Sequence, residues 1–180
     1  MVHTDGTRLS AVLRRARELG PPVLVPLAWT FVVAAHLGVV AVRTLFIAHV
    51  VMSALLAVFA VSGRSDMRRG TLLVWWRLIV VGLFVTLCGT VGFLLEPVAA
   101  PLQGIALFGW MLLPAVGFVD TGRRVPKGTW IYLGGAAACG LGAVAYAVGA
   151  VAATDPIATA GLVAVGFGQT AGILDAAIRY

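Results

Sequence analysis

Charged residues are scarce in this sequence. Only 11% of its 180 residues are Asp, Glu, Lys or Arg, whereas 61% are hydrophobic. Soluble domains carry roughly 25% charged and 45–50% apolar residues. Together with a mean hydropathy of +1.01, this balance excludes a water-soluble globular domain and indicates a chain whose solvent is the lipid bilayer.

Carboxylates are also missing from the middle of the apolar segments. The 7 Asp and Glu residues all fall in the connections, near the ends of these segments or near the N-terminus. Proton- and sodium-coupled transporters commonly place a carboxylate near mid-bilayer. The distribution therefore argues against coupled transport and leaves open an uncoupled carrier or a small-solute channel.

The sequence contains no recognisable catalytic motif. It has no His-Glu-x-x-His helix and no glycine-rich phosphate loop between a strand and a helix. Cysteine is limited to Cys88 and Cys139, each inside an apolar segment, where a thiol packs as a small side chain. These observations do not favour an enzyme. Ligation of a metal or of haem is the one chemical activity that the sequence still allows.

Six long apolar segments account for most of the chain. A spanning helix needs about 20 apolar residues, and the short connections leave little room for an extramembrane domain. We therefore predict an all-α, polytopic transmembrane bundle of six spans, arranged as three helical hairpins in a single domain over 22–180. The predicted spans are 22–42, 45–62, 71–95, 98–119, 129–152 and 156–177.

Lys and Arg alternate between the connections. Several lie in the N-terminal segment and in the connections at 63–70 and 120–128, whereas those at 43–44, 96–97 and 153–155 carry at most one. Because basic residues are retained on the cytoplasmic side, we predict a multi-pass protein of the cell membrane with both termini in the cytoplasm. The net charge of +6 is explained by this topology, so nucleic acid is not an expected partner.

Residues 1–21 precede the first span and have a different pattern. Between Thr7 and Leu19, apolar residues recur at helical spacing on one face and arginines occupy the other. Gly20 and the following prolines end the pattern. We predict a basic amphipathic helix that lies along the inner leaflet against anionic lipid headgroups.

His36 and His49 form the sharpest candidate site. They flank the first outer turn almost symmetrically, so antiparallel helices would hold them at equal depth. Neutral imidazole ligates haem iron and copper, and the pair is therefore a candidate cofactor site for haem b or copper. The alternative is that each histidine satisfies a polar partner inside the bundle.

A second candidate site lies on the fourth and sixth spans. Pro114 removes one backbone hydrogen bond and frees the carbonyl of Trp110, while Gln169 is a polar residue within the sixth span. These three residues are candidates for a transport path. The glycine-rich fifth and sixth helices favour close packing, either within the chain or against a protein partner or a second copy.

Three classes of function follow from these patterns. The first is a non-enzymatic accessory subunit, sensor or assembly factor. The second is a haem- or metal-binding redox protein that uses His36 and His49, and the third is a small-solute channel or uncoupled carrier. The sequence alone favours the first.

The predicted topology is testable by cysteine labelling in a background without Cys88 and Cys139. We expect Ser65→Cys and Val125→Cys to react with a membrane-impermeant maleimide only in inside-out vesicles, because the basic connections are cytoplasmic. Glu96→Cys, in an outer turn, should react only on intact cells. Labelling of 65 and 125 from opposite faces of the membrane would contradict the topology.

Overall fold

The structure is a computed structural model that describes residue 20 and residues 22–179. The helix expected between Thr7 and Leu19 lies outside the described residues. Within them the chain forms six helices and no strand, which confirms the predicted all-α, six-helix fold. The helices are α1 (Pro22–His36), α2 (Val42–Gly63), α3 (Gly70–Leu94), α4 (Ala100–Arg124), α5 (Thr129–Val151) and α6 (Asp155–Arg179).

Helices α2 to α6 are each long and apolar enough to cross a membrane. Their ends lie within a few residues of the predicted spans, except that α4 continues to Arg124 rather than ending near 119. In this added turn Arg124 forms an ion pair with Asp120, one turn earlier, at 2.8 Å. The described part of the chain is thus a multi-pass helical bundle.

Helix α1 ends at His36, earlier than the predicted end of the first span at 42. Gly38 adopts a left-handed conformation with φ 74°, which a glycine reaches without steric cost. The Val39 amide then donates to the Ala34 carbonyl, and the Gly38 amide donates to Ala35. This pair of bonds is a Schellman motif, which satisfies the last carbonyls and stops the helix. At 1.5 Å per residue α1 is about 22 Å long.

Helices α5 and α6 pack backbone to backbone through glycines. A Cβ placed on Gly142 would lie 2.6 Å from the carbonyl oxygen of Gly161, and one on Gly161 would lie 2.5 Å from that of Gly142. Two turns away on the same face of α5, a Cβ on Gly135 would lie 2.8 Å from the carbonyl oxygen of Gly168. Lipid tails are as apolar as the helix surfaces, so the hydrophobic effect does not drive helices together within the bilayer. The close approach of α5 and α6 instead supplies the dispersion contacts that hold them together.

The other helices follow in chain order around this pair. α4 packs on α5, α3 on α4, and α2 on α3. α1 returns to α6, where the Trp29 ring covers Gly166. Helix α2 lies at the edge of the bundle, and Leu56 and Gly63 are its buried residues in the described structure.

The core lies between α1, α4, α5 and α6. Its largest side chains are almost completely buried, while the outer faces of the helices expose apolar side chains, as expected of a protein solvated by lipid. The buried cluster consists of Trp29, Met111, Phe118, Tyr132, Cys139, Ala143, Leu162 and Val165.

The α5–α6 contact predicts unequal effects for two neighbouring glycines. Gly142→Ala forces a methyl group into the Gly161 carbonyl, and we expect it to lower the free energy of unfolding by about 1–3 kcal/mol, the usual cost of overpacking. Gly140→Ala is the matched control, because no described atom outside the adjoining backbone of α5 itself lies within 4 Å of its added Cβ. We expect the control to be neutral or slightly stabilising, since alanine favours helix.

The measurement is thermal unfolding in detergent, followed by tryptophan fluorescence. Equal unfolding temperatures for the two variants would show that α5 and α6 do not approach as closely as described.

Candidate functional site

Gln169 is the polar centre of the bundle interior. Its side chain is 3% exposed and lies on α6, where a glycine-rich stretch allows neighbouring helices to come close. The amide Nε2 donates to the Trp110 carbonyl of α4 at 2.9 Å. The Oε1 atom accepts from Trp29 Nε1 of α1 at 3.0 Å. One side chain thus joins three helices.

The Trp110 carbonyl is the group that Pro114 leaves without a helical partner. Proline has no N–H, so the bond that residue 114 would donate to residue 110 is missing from α4. In hydrocarbon an unsatisfied carbonyl costs several kcal/mol. Gln169 supplies the absent donor from another helix, and α4 continues through the buried Pro114 to its end.

The side chain of Cys139 also contacts Gln169. The thiol of Cys139, on α5, lies beside the Gln169 side chain and is fully buried. The contact adds the fourth helix of the core to the group. We refer to Trp29, Trp110, Cys139 and Gln169 as the Gln169 centre. It contains two of the three residues expected along a transport path, Trp110 and Gln169, and the third, Pro114, acts through the carbonyl that it frees.

His36 lies at the end of α1 and packs against α5. Its ring meets the Tyr146 ring edge to face, with centroids 5.5 Å apart, and Tyr146 in turn contacts Phe108 of α4. The Nε2 atom of His36 is buried and has no hydrogen-bond partner among the described residues. His36 is therefore held by aromatic contacts on this side.

His49 lies on α2 and packs against α3. Its Nδ1 is 2.9 Å from the Leu45 carbonyl oxygen, one turn earlier, so Nδ1 is the protonated donor and Nε2 keeps a lone pair. The ring contacts Phe93 with centroids 5.0 Å apart and lies over Gly89, where an added Cβ would be 2.9 Å from Nε2.

The two histidines thus contact different helices, His36 facing α5 and His49 facing α3. In the described part of the chain no group of three or more His, Cys, Asp or Glu residues is placed to hold a metal ion. A site made by this pair would use imidazole nitrogens alone, as an axial pair on a haem does.

Helices α3 and α4 are joined by a contact that occurs twice. In the first, Trp110 Nε1 donates to the Thr86 hydroxyl at 2.9 Å, and this hydroxyl donates to the Gly82 carbonyl. The Trp110 ring lies on Gly82, where an added Cβ would be 2.7 Å away. Gly82 therefore makes room for the Trp110 indole, which is hydrogen-bonded to Thr86 one turn later.

The second contact has the helices exchanged. Trp75 Nε1, now on α3, donates to the Thr121 hydroxyl of α4 at 3.0 Å, and Thr121 donates to the Gly117 carbonyl. The Trp75 ring lies on Gly117, with 2.8 Å between the ring and an added Cβ. A local two-fold axis perpendicular to the helices thus relates α3 and its contacts to α4 and its contacts.

One sequence pattern produces both contacts. W-x-x-L-x-x-V-G-x-x-x-T stands at 75–86 and again at 110–121. Hydropathy does not reveal this pattern, because both segments are simply apolar. The signal that marks it is the equal spacing from tryptophan to glycine and from glycine to threonine. Two occurrences on consecutive antiparallel helices form a short inverted repeat.

Two further interior polar side chains also bond to neighbouring backbone or hydroxyl groups. Gln103 of α4 donates to the Gly89 carbonyl of α3 at 2.8 Å, and the Ser53 hydroxyl of α2 lies 3.5 Å from that of Thr90. The polar groups of the described spans therefore serve mainly to join helices. Comparison of the chain with protein-family models, with curated proteins and with solved structures finds no match.

The Gln169 centre predicts a specific loss of stability. In Gln169→Leu the Trp110 carbonyl and the Trp29 N–H both lose their partner, and we expect the free energy of unfolding to fall by roughly 1–2 kcal/mol. Thr170→Val is the matched control on the same helix, because the Thr170 hydroxyl makes no hydrogen bond with the described residues. Denaturant titration of both variants in detergent measures the difference. Equal stabilities would contradict a stabilising role of the Gln169 centre.

Proposed function

We propose that this protein is a non-enzymatic component of the cell membrane, an accessory subunit, sensor or assembly factor that acts by packing against a protein partner within the bilayer. The observation that carries the proposal is the Gln169 centre. It supports a structural role for the most polar point in the bundle interior, because the Gln169 amide is hydrogen-bonded to groups of two other helices, α1 and α4.

A binding or transport site needs polar groups that exchange partners with a solute. Gln169 uses its Nε2 on a carbonyl that Pro114 has freed, and releasing this bond for a solute would expose the carbonyl to hydrocarbon. The reciprocal contacts of Trp75 and Trp110 add further bonds between helices at fixed geometry. These features favour a rigid bundle whose working surface is its outside.

The outer surface offers helix faces suited to a membrane partner. α2 is the least enclosed of the long helices, with a single neighbour, α3, against which it packs extensively within α2–α6. Val58 and Val61 of α2 are 51% and 79% exposed. In a bilayer such a face contacts either lipid or another protein, and association there depends on fit rather than on apolarity.

Site-specific photocrosslinking in native membranes tests this proposal. A photoreactive residue is placed at exposed positions around the bundle, including Val58 on α2, Phe84 on α3 and Val144 on α5. We expect adducts with one protein, in a fixed ratio, from positions on a single helix face, with lipid adducts elsewhere. Lipid adducts at every position would contradict the proposal, as would a solute flux in proteoliposomes above that of protein-free vesicles.

A haem- or metal-binding redox function of His36 and His49 is the second candidate. It is favoured by the hydrogen bonding of the two rings: a metal-bound histidine commonly donates its other N–H to a backbone carbonyl, as His49 does to Leu45, and His36 has a buried Nε2 without a described partner. Haem b would supply reversible one-electron transfer, while the two imidazoles would hold its iron.

Absorption spectroscopy of the purified protein distinguishes the two candidates. A Soret band or stoichiometric copper that is lost in both His36→Ala and His49→Ala would establish the second candidate. A colourless, metal-free preparation from cells supplied with haem and copper would eliminate it and leave the first.

A further inference from the structure

A groove runs down the outer surface of the bundle between α3 and α5, where α4 is set back. It has a volume of about 700 Å³ and a predominantly apolar lining. Ala115, Val116 and Val119 of α4 form its floor, with Val74 of α3 on one side and Ala137 of α5 on the other. The small alanine side chains leave the space that bulkier residues would fill. The groove is therefore an open depression on a surface that faces lipid.

The groove opens at the end of α4, where charged side chains begin. Asp120 and Arg123 line it, and both lie within the last turn and a half of α4. From Ala115 to Arg123 the floor extends about 12 Å at the helical rise per residue. Its apolar part thus lies at the depth of acyl chains, and its charged end lies at the depth of headgroups.

The charges at this end do not cancel. Arg124 forms an ion pair with Asp120 at 2.8 Å, which neutralises the carboxylate. Arg123 is exposed and has no ion-pair partner in the described part of the chain. One guanidinium therefore remains uncompensated beside the groove. Guanidinium binds phosphate in a bidentate manner, and its stem lies readily along apolar surface.

We propose that this groove, the α4 groove, binds a monoanionic phospholipid such as phosphatidylglycerol, with an acyl chain along Ala115 and Val119 and the phosphate on Arg123. The single uncompensated positive charge matches the single negative charge of this lipid. A zwitterionic phospholipid would place its own cation beside Arg123 and Arg124. The site is separate from the Gln169 centre and does not depend on the function proposed above.

Native mass spectrometry of the delipidated protein in detergent tests the proposal. The probes are phosphatidylglycerol and phosphatidylcholine with identical acyl chains, each added over a range of concentrations. We expect phosphatidylglycerol to bind the wild type roughly fivefold more tightly than phosphatidylcholine, the ratio given by one arginine near an anionic phosphate. Equal affinities for the two lipids would overturn the proposal.

Two variants assign the site, and each has a matched control. Arg123→Gln should bring phosphatidylglycerol down to the affinity of phosphatidylcholine, whereas Arg64→Gln, an exposed arginine at the end of α2, should leave the preference intact. Ala137→Phe fills the groove at an exposed position and should lower the affinity for both lipids at least fivefold.

Ala54→Phe is the control for Ala137→Phe, because it adds the same bulk to an exposed position of α2 and should change neither affinity. Unfolding temperatures within error of the wild type ensure that these surface variants are folded. Retention of the full phosphatidylglycerol preference in Arg123→Gln, or of wild-type affinity in Ala137→Phe, would overturn the assignment.

Discussion

The requirement that every backbone polar group find a partner inside the protein governs this structure. Water can complete a broken helix in a soluble domain, but hydrocarbon cannot. Pro114 breaks α4 at one carbonyl, and the position of α6 is tied to that break because Gln169 donates to it. Trp29 then fixes α1 on the other side of Gln169. A local defect in one helix thus determines how three helices are arranged.

Close packing of small residues is the complement of this polar constraint. The buried residues of α3 are Gly82, Thr86, Gly89 and Gly92, and the space above them is occupied by larger side chains from α2 and α4. Between α5 and α6 the glycines instead bring backbone onto backbone. The glycines of α3 determine where side chains such as Trp110 pack. The glycines of α5 and α6 determine how closely these two helices approach each other. Both allow hydrogen bonds across interfaces that bulky residues would hold apart.

Sequence reasoning predicted the helices well and the contacts poorly, for a physical reason. Hydropathy measures burial in lipid, which depends on composition alone, so the spans were placed within a few residues. The freed Trp110 carbonyl also follows from Pro114 by local geometry. Its partner Gln169 does not, because pairing depends on the rotation of each helix, which packing sets. The end of α1 was missed because Gly38 was read as part of a span rather than as a left-handed helix stop.

The inverted repeat in α3 and α4 has a consequence for how the hairpin enters the bilayer. Turned end over end about its local axis, the pair brings Trp75, Gly82 and Thr86 onto the positions of Trp110, Gly117 and Thr121. These contacts are therefore the same at both ends of the seam, and they do not distinguish one direction of insertion from the other. The repeated contacts between the two helices do not set the orientation of the hairpin in the membrane. The charged residues outside this interface set it.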